Sequence, residues 1–302
     1  MKITAFFMSM ITVIINLFGT VFYSTNEFND VSFRDEITGL YSVSREEFSC
    51  ERDGLTIKGT VFMPEGQTNC PTAIVSHGFM ANQMISHIHA QNLAKMGYAA
   101  FCFDFCGGTL RGESEGDSTE MSVMTEVEDL KSVIEFAKSC EYTNEEVLIL
   151  VGCSQGGFVT ALTATQLQDE IDAIILLYPA FCIPDDARRG QMMFATFDPN
   201  NVPETFDCGP MKLGAIYVND VIDMNPYEII GSYTGKVLII HGTEDEIVDI
   251  SYAERAVEAY EAAGAEVELK VIDGAGHMFT NPVYAYKALG YIRQFVSVSE
   301  NQ

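Results

Sequence analysis

Short apolar runs alternate along this chain with segments of helical periodicity. The strand-like segments, most of them unbroken apolar runs, are residues 72–76, 99–103, 147–151, 173–178, 237–240 and 267–272. The helical segments are residues 85–95, 122–139, 252–263 and 284–296, and the second of these places its apolar residues on one face. Buried strands that alternate with helices predict a mainly parallel sheet with helices on both faces.

An antiparallel hairpin is predicted ahead of the parallel strands. Residues 49–63 alternate around Asp53-Gly54, a dipeptide that favours a tight hairpin turn. In an open sheet of this kind, ligands bind beyond the carboxyl ends of the strands. Three strands run there into glycine-containing segments at residues 77–79, 152–154 and 241–243, so we expect the functional site at that edge.

The most informative segment is Gly152-Cys153-Ser154-Gln155-Gly156, which follows a buried strand and precedes a helix-compatible stretch. A strand, a sharp turn centred on a serine, and a helix make up a nucleophile elbow. The serine of such a turn has a strained backbone, and the flanking glycines avoid collisions with neighbouring elements. A second Gly-x-Ser-x-Gly match, at residues 112–116, lies in an acidic, glycine-rich stretch without a preceding strand. Ser154, rather than Ser114, is therefore the predicted nucleophile.

A serine nucleophile needs a base, and the base needs an acid that fixes its tautomer. The elbow predicts the chain order serine, acid, histidine. His277 lies in a glycine-rich loop after the last strand and is the predicted base. The acid is expected in the loop after residues 237–240, where a tight turn favours Asp245 and leaves Glu244 and Asp249 as alternatives.

Two backbone N–H groups are expected to bind the oxyanion of a tetrahedral intermediate. One is the N–H of Gln155, at the start of the helix after the elbow, and the other is that of Phe79, after the early strand. His77 precedes this second donor and is interpreted as structural.

One interval interrupts the alternation of strands and helices. Between Pro179 and Gly235 the periodicity is weak, while prolines and aromatic residues are frequent. An insertion of this length between nucleophile and acid is typical of a lid or a binding element. Residues 180–234 are therefore predicted to form a lid.

Together these motifs resemble those of the α/β-hydrolase serine esterases. The matching segments are His-Gly-Phe, Gly-x-Ser-Gln-Gly-Gly, His-Gly-Thr-x-Asp-x-Ile-Val and Gly-x-Gly-His, within residues 46–297. The chain is most similar to bacterial cinnamoyl and feruloyl esterases, because segments of residues 196–199, 212–217 and 225–228 follow the order and spacing of their lid. The resemblance implies an α/β-hydrolase fold with an inserted lid, a triad of Ser154, Asp245 and His277, and an oxyanion hole from Phe79 and Gln155.

The resemblance also implies residues near the aromatic end of the substrate, namely Tyr217 and one of Asp185 or Asp186. Met193 is expected beside them, at a lid position where the family tends to have a glutamine that helps to hold a phenol hydroxyl. Cys153 stands where histidine is common and is expected to point into the core. These departures concern the specificity for phenolic esters rather than the triad.

Charge and cysteine content limit the partners, disulfide bridges and metal sites that this sequence can have. The 302 residues carry 17 basic and 43 acidic side chains, a formal charge of −26, which disfavours nucleic acids as partners. Eight cysteines are too few for a disulfide scaffold, and Cys182 with Cys208 is the one pair that we consider for a bridge. The sequence has no Cys-x-x-Cys pair and no histidine spacing suited to a metal, so we expect neither a metal nor another cofactor.

Residues 3–23 are uncharged, mostly apolar and long enough to cross a bilayer. We predict that residues 1–24 form a membrane anchor, with a cleaved signal or a peripheral helix as the alternatives. Lys2 favours an inside amino terminus, so the protein would face outside or be secreted, with a cytoplasmic location as the alternative. Residues 25–45 are predicted to be a stalk, and residues 46–299 the hydrolase domain.

The sequence therefore predicts a serine carboxylic-ester hydrolase that acts through an acyl-enzyme on a small ester, of the cinnamoyl or feruloyl type by resemblance. A monoglyceride lipase and a serine aminopeptidase-like acyl hydrolase use the same groups and remain alternatives. An alternative of another class is an inactive, membrane-tethered binding protein. The oligomeric state is not predicted.

Overall fold

The computed structural model describes residues 40–299, and the unit that begins at Tyr41 contains the whole predicted hydrolase domain. The predicted anchor and residues 25–39 of the predicted stalk lie outside the described residues. The first strand begins at Val43, slightly before the expected domain boundary at residue 46. Within the described part of the chain, no helix is both long and apolar enough to cross a membrane.

An eight-stranded sheet forms the centre of the described fold. In chain order the strands of the domain are β1 (Val43–Arg52), β2 (Leu55–Pro64), β3 (Cys70–Ser76), β4 (Ala99–Phe103), β5 (Thr143–Cys153), β6 (Ala173–Leu177), β7 (Gln191–Met192), β8 (Ala195–Thr196), β9 (Thr205–Cys208), β10 (Met211–Gly214), β11 (Lys236–Gly242) and β12 (Glu266–Ile272). The order in the large sheet is β1-β2-β4-β3-β5-β6-β11-β12. The pairings of β1 with β2 and of β2 with β4 are antiparallel, and the others are parallel. The predicted hairpin and the mainly parallel sheet are confirmed.

Helices cover both faces of this sheet. They are α1 (Gln83–Lys95), α2 (Val123–Lys138), α3 (Gln155–Gln166), α4 (Ile183–Arg189), α5 (Ala215–Asn219), α6 (Pro226–Ile230), α7 (Ser251–Ala263) and α8 (Pro282–Ser299). Polar side chains define two of the helix starts: Asn82 accepts a hydrogen bond from the N–H of Met84, and Ser122 exchanges hydrogen bonds with Thr125 in a capping box.

The alternation of side chains along each strand divides the core into two apolar layers. Ile74 of β3 and Leu150 of β5 join the layer that packs against α2, α3 and α7. Their neighbours Val75 and Val151 join the layer that packs against α1 and α8. Because both faces are covered, these strands need apolar residues at successive positions, which explains the unbroken apolar runs.

Residues 180–234 form the insertion, which connects β6 to β11. It contains the short helices α4, α5 and α6 and two small hairpins, β7 with β8 and β9 with β10. Side chains of the loop before α2 hold part of it: Ser118 donates to the carbonyl of Lys212 over 2.6 Å, and Ser122 donates to Asp220 over 2.5 Å. These elements are too short to produce a recognisable periodicity. The sequence therefore predicts the position of the insertion but not its individual helices and hairpins.

A buried ion pair links the first hairpin to α2. Nε of Arg52, at the end of β1, lies 2.8 Å from Oδ1 of Asp129, whose side chain is fully buried. The other carboxylate oxygen of Asp129 accepts a hydrogen bond from the backbone N–H of Cys106 over 2.8 Å.

We expect Arg52→Met to lower the free energy of unfolding by about 3 kcal/mol, because it leaves the carboxylate of Asp129 buried without its cation. The control is Lys131→Met, which removes the partly exposed pair of Lys131 with Glu128 and should cost less than about 0.5 kcal/mol. Urea denaturation of both variants at neutral pH measures the difference. Equal losses would show that burial does not set the strength of the Arg52–Asp129 pair.

Candidate active site

Ser154 lies at the sharp turn between β5 and α3, with φ 54° and ψ −119°. This strained backbone exposes the serine at the carboxyl edge of the sheet. A Cβ at Gly152 would lie 2.3 Å from the carbonyl oxygen of Gly156, and a Cβ at Gly156 would lie 2.2 Å from that of His77. Both positions therefore require glycine, as the sequence pattern indicates.

The loops after β11 and β12 bring two more polar side chains to Ser154. Nε2 of His277 is 3.0 Å from Oγ of Ser154, and its Nδ1 is 2.7 Å from Oδ2 of Asp245. The alternative acids lie elsewhere: Glu244 is exposed, and Asp249 accepts a hydrogen bond from the N–H of Ser251 at the start of α7. The geometry thus brings together the serine, the histidine and the favoured aspartate.

The carboxylate of Asp245 is buried and accepts four hydrogen bonds. Oδ1 accepts from the backbone N–H groups of Ile247 and Val248, at 2.9 Å and 3.0 Å. Oδ2 is shared by His277 and by Nε2 of His241, which is 3.2 Å away. Burial would raise the pKa of Asp245, but the hydrogen bonds from His241 and then from His277 outweigh it and hold this pKa well below its usual range. Asp245 is therefore ionised at neutral pH.

His241 is a member of this cluster that the sequence interpretation missed. It is fully buried at the end of β11, and its Nε2 is also 2.9 Å from the carbonyl oxygen of Val248. Because a carbonyl only accepts hydrogen bonds, the ring carries a proton on Nε2. Among the described residues its Nδ1 has no hydrogen-bond partner. The signal was the His-Gly at the strand end, only four residues before Asp245.

A pocket opens beside Ser154. Its other lining residues are Phe79, Gln155, Ala180, Cys182, Ile183, Asp186, Met192, Met193, Tyr217, Ile247 and Val248. Both residues predicted for the oxyanion hole, Phe79 and Gln155, are thus adjacent to the serine. A Cβ at Gly78 would lie 3.0 Å from that of Ser154, so the segment of Phe79 approaches the nucleophile closely. The wall is mostly apolar, which suits a ligand with few charges.

The four predicted substrate-contacting residues do not all reach this pocket. Tyr217, Asp186 and Met193 line it, and Met193 is 46% exposed on the hairpin of β7 and β8. Asp185, the alternative to Asp186, is not among the lining residues: its carboxylate accepts hydrogen bonds from Arg188, at 2.6 Å, and from the hydroxyl of Tyr252, at 3.0 Å. Consecutive residues of a helix point about 100° apart, so only Asp186 of this pair on α4 faces the pocket.

Two further polar residues have structural contacts, as predicted. Ser114 donates to the carbonyl of Asp104 over 2.6 Å and accepts from the N–H of Lys58 over 2.8 Å, so it holds a loop against β2. Nε2 of His77 accepts a hydrogen bond from the N–H of Phe105 over 3.1 Å.

The cysteines near the site are thiols. Cys153 is buried in the core, and burial raises its pKa to about 12, which makes it unreactive at neutral pH. Cys182 and Cys208 are both free, so the bridge considered for them is absent. Within residues 40–299, no group of three or more histidine, cysteine or acidic side chains is arranged to hold a metal ion.

Residues 84–298 match the sequence profile of the prolyl oligopeptidase family, Peptidase_S9. The chain belongs to this family. Solved structures share the fold of this chain. Ferulic-acid-bound Est1E from Butyrivibrio proteoclasticus is 27% identical, with a TM-score of 0.77 over 84% of this chain and 100% of that one. The esterase Pf2001 from Pyrococcus furiosus shares the fold at 22% identity, with a TM-score of 0.62 over 85% of this chain and 92% of that one. This member of the prolyl oligopeptidase family has the α/β-hydrolase fold, as its sequence predicts.

Curated relatives of this family member match only in part. The non-reducing polyketide synthase mapC' from Penicillium brevicompactum is 35% identical over 77 residues, which are 25% of this chain and 4% of the synthase. An uncharacterized 31.7 kDa protein from Escherichia coli is 29% identical over 134 residues, 44% of this chain and 45% of that protein. The chain thus spans less than half the length of these curated relatives.

We expect His241→Leu to lower the free energy of unfolding of this hydrolase by about 2 kcal/mol at pH 7, because Asp245 loses a hydrogen bond made to its charged form. His241→Gln, which offers an amide donor, should lose less. A carboxylate whose folded pKa is lowered stabilises the fold above its unfolded pKa of about 3.9, and this stabilisation is lost as the pH falls through the folded pKa.

Urea denaturation should therefore give a deficit for His241→Leu that persists at pH 5 and shrinks as the pH falls below about 4. A deficit that stays the same at pH 3 would contradict a role of His241 through the charged form of Asp245.

Proposed function

We propose that this protein is a serine hydrolase that cleaves carboxylic esters through an acyl-enzyme on Ser154. The observation that carries the proposal is the continuous hydrogen-bonded line from Ser154 through His277 to Asp245, with distances of 3.0 Å and 2.7 Å. A hydroxyl within hydrogen-bond distance of an imidazole, which is itself oriented by a carboxylate, is the arrangement that activates a serine nucleophile.

In the proposed reaction, Nε2 of His277 takes the proton from the hydroxyl of Ser154 as Oγ attacks the acyl carbon. Asp245, ionised and held by four donors, keeps the proton of His277 on Nδ1 and stabilises the imidazolium that forms. The backbone N–H groups of Gln155 and Phe79 bind the oxyanion, and His277 then protonates the leaving alcohol. Water attacks the acyl-enzyme in a second cycle of the same steps and releases the acid.

For the substrate, we propose a small ester with an aromatic acyl group of the cinnamoyl or feruloyl type. Two features support this class: the likeness to Est1E, a structure of which holds ferulic acid, and the aromatic wall of the pocket. The rings of Phe79 and Tyr217 in this wall are 5.6 Å apart. Planar acyl groups pack well against such rings. We propose that the insertion of residues 180–234 acts as a lid, with the hairpin that carries Met193 at the pocket mouth.

A second candidate is hydrolysis of a peptide or an aminoacyl amide, since the matching family is named for an oligopeptidase. The same triad serves both reactions, so the pocket rather than the chemistry distinguishes them.

Ser154→Ala should lower the hydrolysis of p-nitrophenyl acetate by at least about 10⁴-fold, because the acyl-enzyme cannot form without the hydroxyl. Ser114→Ala is the matched control, since Ser114 is the centre of the other Gly-x-Ser-x-Gly segment, and it should keep its activity. Initial rates of purified proteins measure both effects. Normal activity of Ser154→Ala would end the proposal, and failure of the wild-type protein to react with a fluorophosphonate probe would favour an inactive binding protein.

Among methyl ferulate, a monoglyceride and an amino-acid p-nitroanilide, we expect the highest kcat/KM for methyl ferulate. The physical reason is that a planar aromatic acyl group can pack against the rings of Phe79 and Tyr217, which line the pocket. Steady-state kinetics on the three compounds at one pH checks this. A preference for the monoglyceride would indicate a lipase, and a preference for the anilide would favour the peptidase candidate.

A further inference from the structure

A buried chain of three polar side chains lies directly behind the pocket. Nε2 of Gln155, on α3, donates to Oε2 of Glu126, on α2, over 2.8 Å. The hydroxyl of Tyr217, on α5 of the insertion, donates to Oε1 of the same glutamine. All three side chains are buried, with at most 3% of their surface exposed. Gln155 is thus held by one partner from the body of the fold and one from the insertion.

Burial favours the neutral form of the Glu126 carboxyl in this chain of three side chains. Burial raises the pKa of the Glu126 carboxyl well above its usual value, and the hydrogen bond from Gln155 and the nearby Asp129 change it less. A protonated Glu126 and an amide make a neutral pair that tolerates burial, whereas a lone carboxylate would not. The groups are therefore suited to fix a geometry rather than to supply charge to the reaction.

The segment that carries Tyr217 is itself fixed to the body of the fold. A Cβ at Gly214, immediately before α5, would lie 1.9 Å from the carbonyl oxygen of Thr119, so this segment and the loop before α2 are in close contact. Asp220, just after α5, accepts the hydrogen bond from Ser122. Tyr217 therefore stands on an anchored part of the insertion, unlike Met193 on its exposed hairpin.

The position of Gln155 gives this arrangement a consequence for the reaction. It follows Ser154 directly and begins α3, and its backbone N–H is one of the two proposed oxyanion donors. Oxyanion donors must be aimed within a few tenths of an ångström of the developing charge. A side chain whose amide nitrogen and oxygen are both hydrogen-bonded restricts the movement of the backbone to which it is attached.

We propose that Tyr217 and Glu126 are positioning residues that aim the backbone N–H of Gln155 at the oxyanion, so that the insertion completes the oxyanion hole. This inference rests on the proposed acyl-enzyme reaction. It differs from the role that resemblance implies for Tyr217, a contact with the aromatic end of the substrate, because the hydroxyl is already used by Gln155. The ring of Tyr217 still forms part of the pocket wall.

The test is Tyr217→Phe, which removes the hydroxyl and keeps the ring. We expect kcat to fall roughly 10- to 100-fold for both p-nitrophenyl acetate and p-nitrophenyl ferulate, with little change in KM, because a displaced oxyanion donor raises the barrier for every acyl group. A raised KM for the ferulate ester with a normal kcat for the acetate ester would overturn the proposal and assign the hydroxyl to substrate binding. Unchanged kinetics with both esters would overturn it as well.

A matched control removes another hydroxyl that joins the insertion to the body. Tyr252 on α7 donates to Asp185, and neither residue contacts Gln155 in the described hydrogen bonds. Tyr252→Phe should keep the wild-type kcat. An equal loss of kcat in Tyr252→Phe and Tyr217→Phe would mean that loosening the insertion at any point is sufficient to lower kcat. That result would overturn the specific role of Tyr217.

The other end of the chain supplies a rescue test. Glu126→Gln keeps an acceptor for the amide of Gln155 and should retain most of the activity, whereas Glu126→Leu should lose as much kcat as Tyr217→Phe. Each protein is titrated with a fluorophosphonate probe, so that kcat refers to reactive Ser154 only. Wild-type protein that fails to label contradicts the proposed reaction itself, whereas labelled variants with unchanged kcat contradict only the positioning role.

Discussion

The backbone of Ser154 is the constraint on which the remaining site depends. A residue with φ 54° and ψ −119° persists only where the surrounding structure holds it, and here the hold comes from close packing. Within the turn Gly152 packs against the backbone of Gly156, and Gly156 packs against that of His77. Neither glycine has room for a Cβ. This packing sets the serine above the sheet and starts α3 directly behind it. The strain at one residue is thus offset by contacts spread over three elements.

The rest of the site consists of loops brought to the same edge by the parallel strands. Asp245 and His277 follow adjacent strands, β11 and β12, so their loops meet naturally above Ser154. Position alone does not orient a carboxylate, and here four donors do so, among them the buried His241. A carboxylate with every lone pair engaged stays ionised and rigid, and these are the two properties that the proposed role of Asp245 requires.

The insertion contains two parts that differ in their hydrogen bonds to the body of the fold and in their exposure. Its α5 segment is bonded to the loop before α2 and carries Tyr217 into the chain with Gln155 and Glu126. Its β7–β8 hairpin is more exposed and presents Met193 at the pocket mouth. The bonded part suits the positioning role proposed for Tyr217, and the exposed part suits the proposed lid.

Local chemistry explains how much could be predicted. The apolar runs at residues 72–76, 99–103 and 147–151 indicated a covered parallel sheet, and the strand before Ser154 distinguished it from Ser114, because each signal lies within a few neighbouring residues. The order of Asp245 and His277 followed from the chain order that a nucleophile elbow predicts. The face on which Asp186 rather than Asp185 lies depends on a helix rotation, and the link from Glu126 to Tyr217 joins positions far apart in the chain. Such pairings leave no local pattern, since they arise when separate elements pack, and the folded arrangement was needed to reveal them.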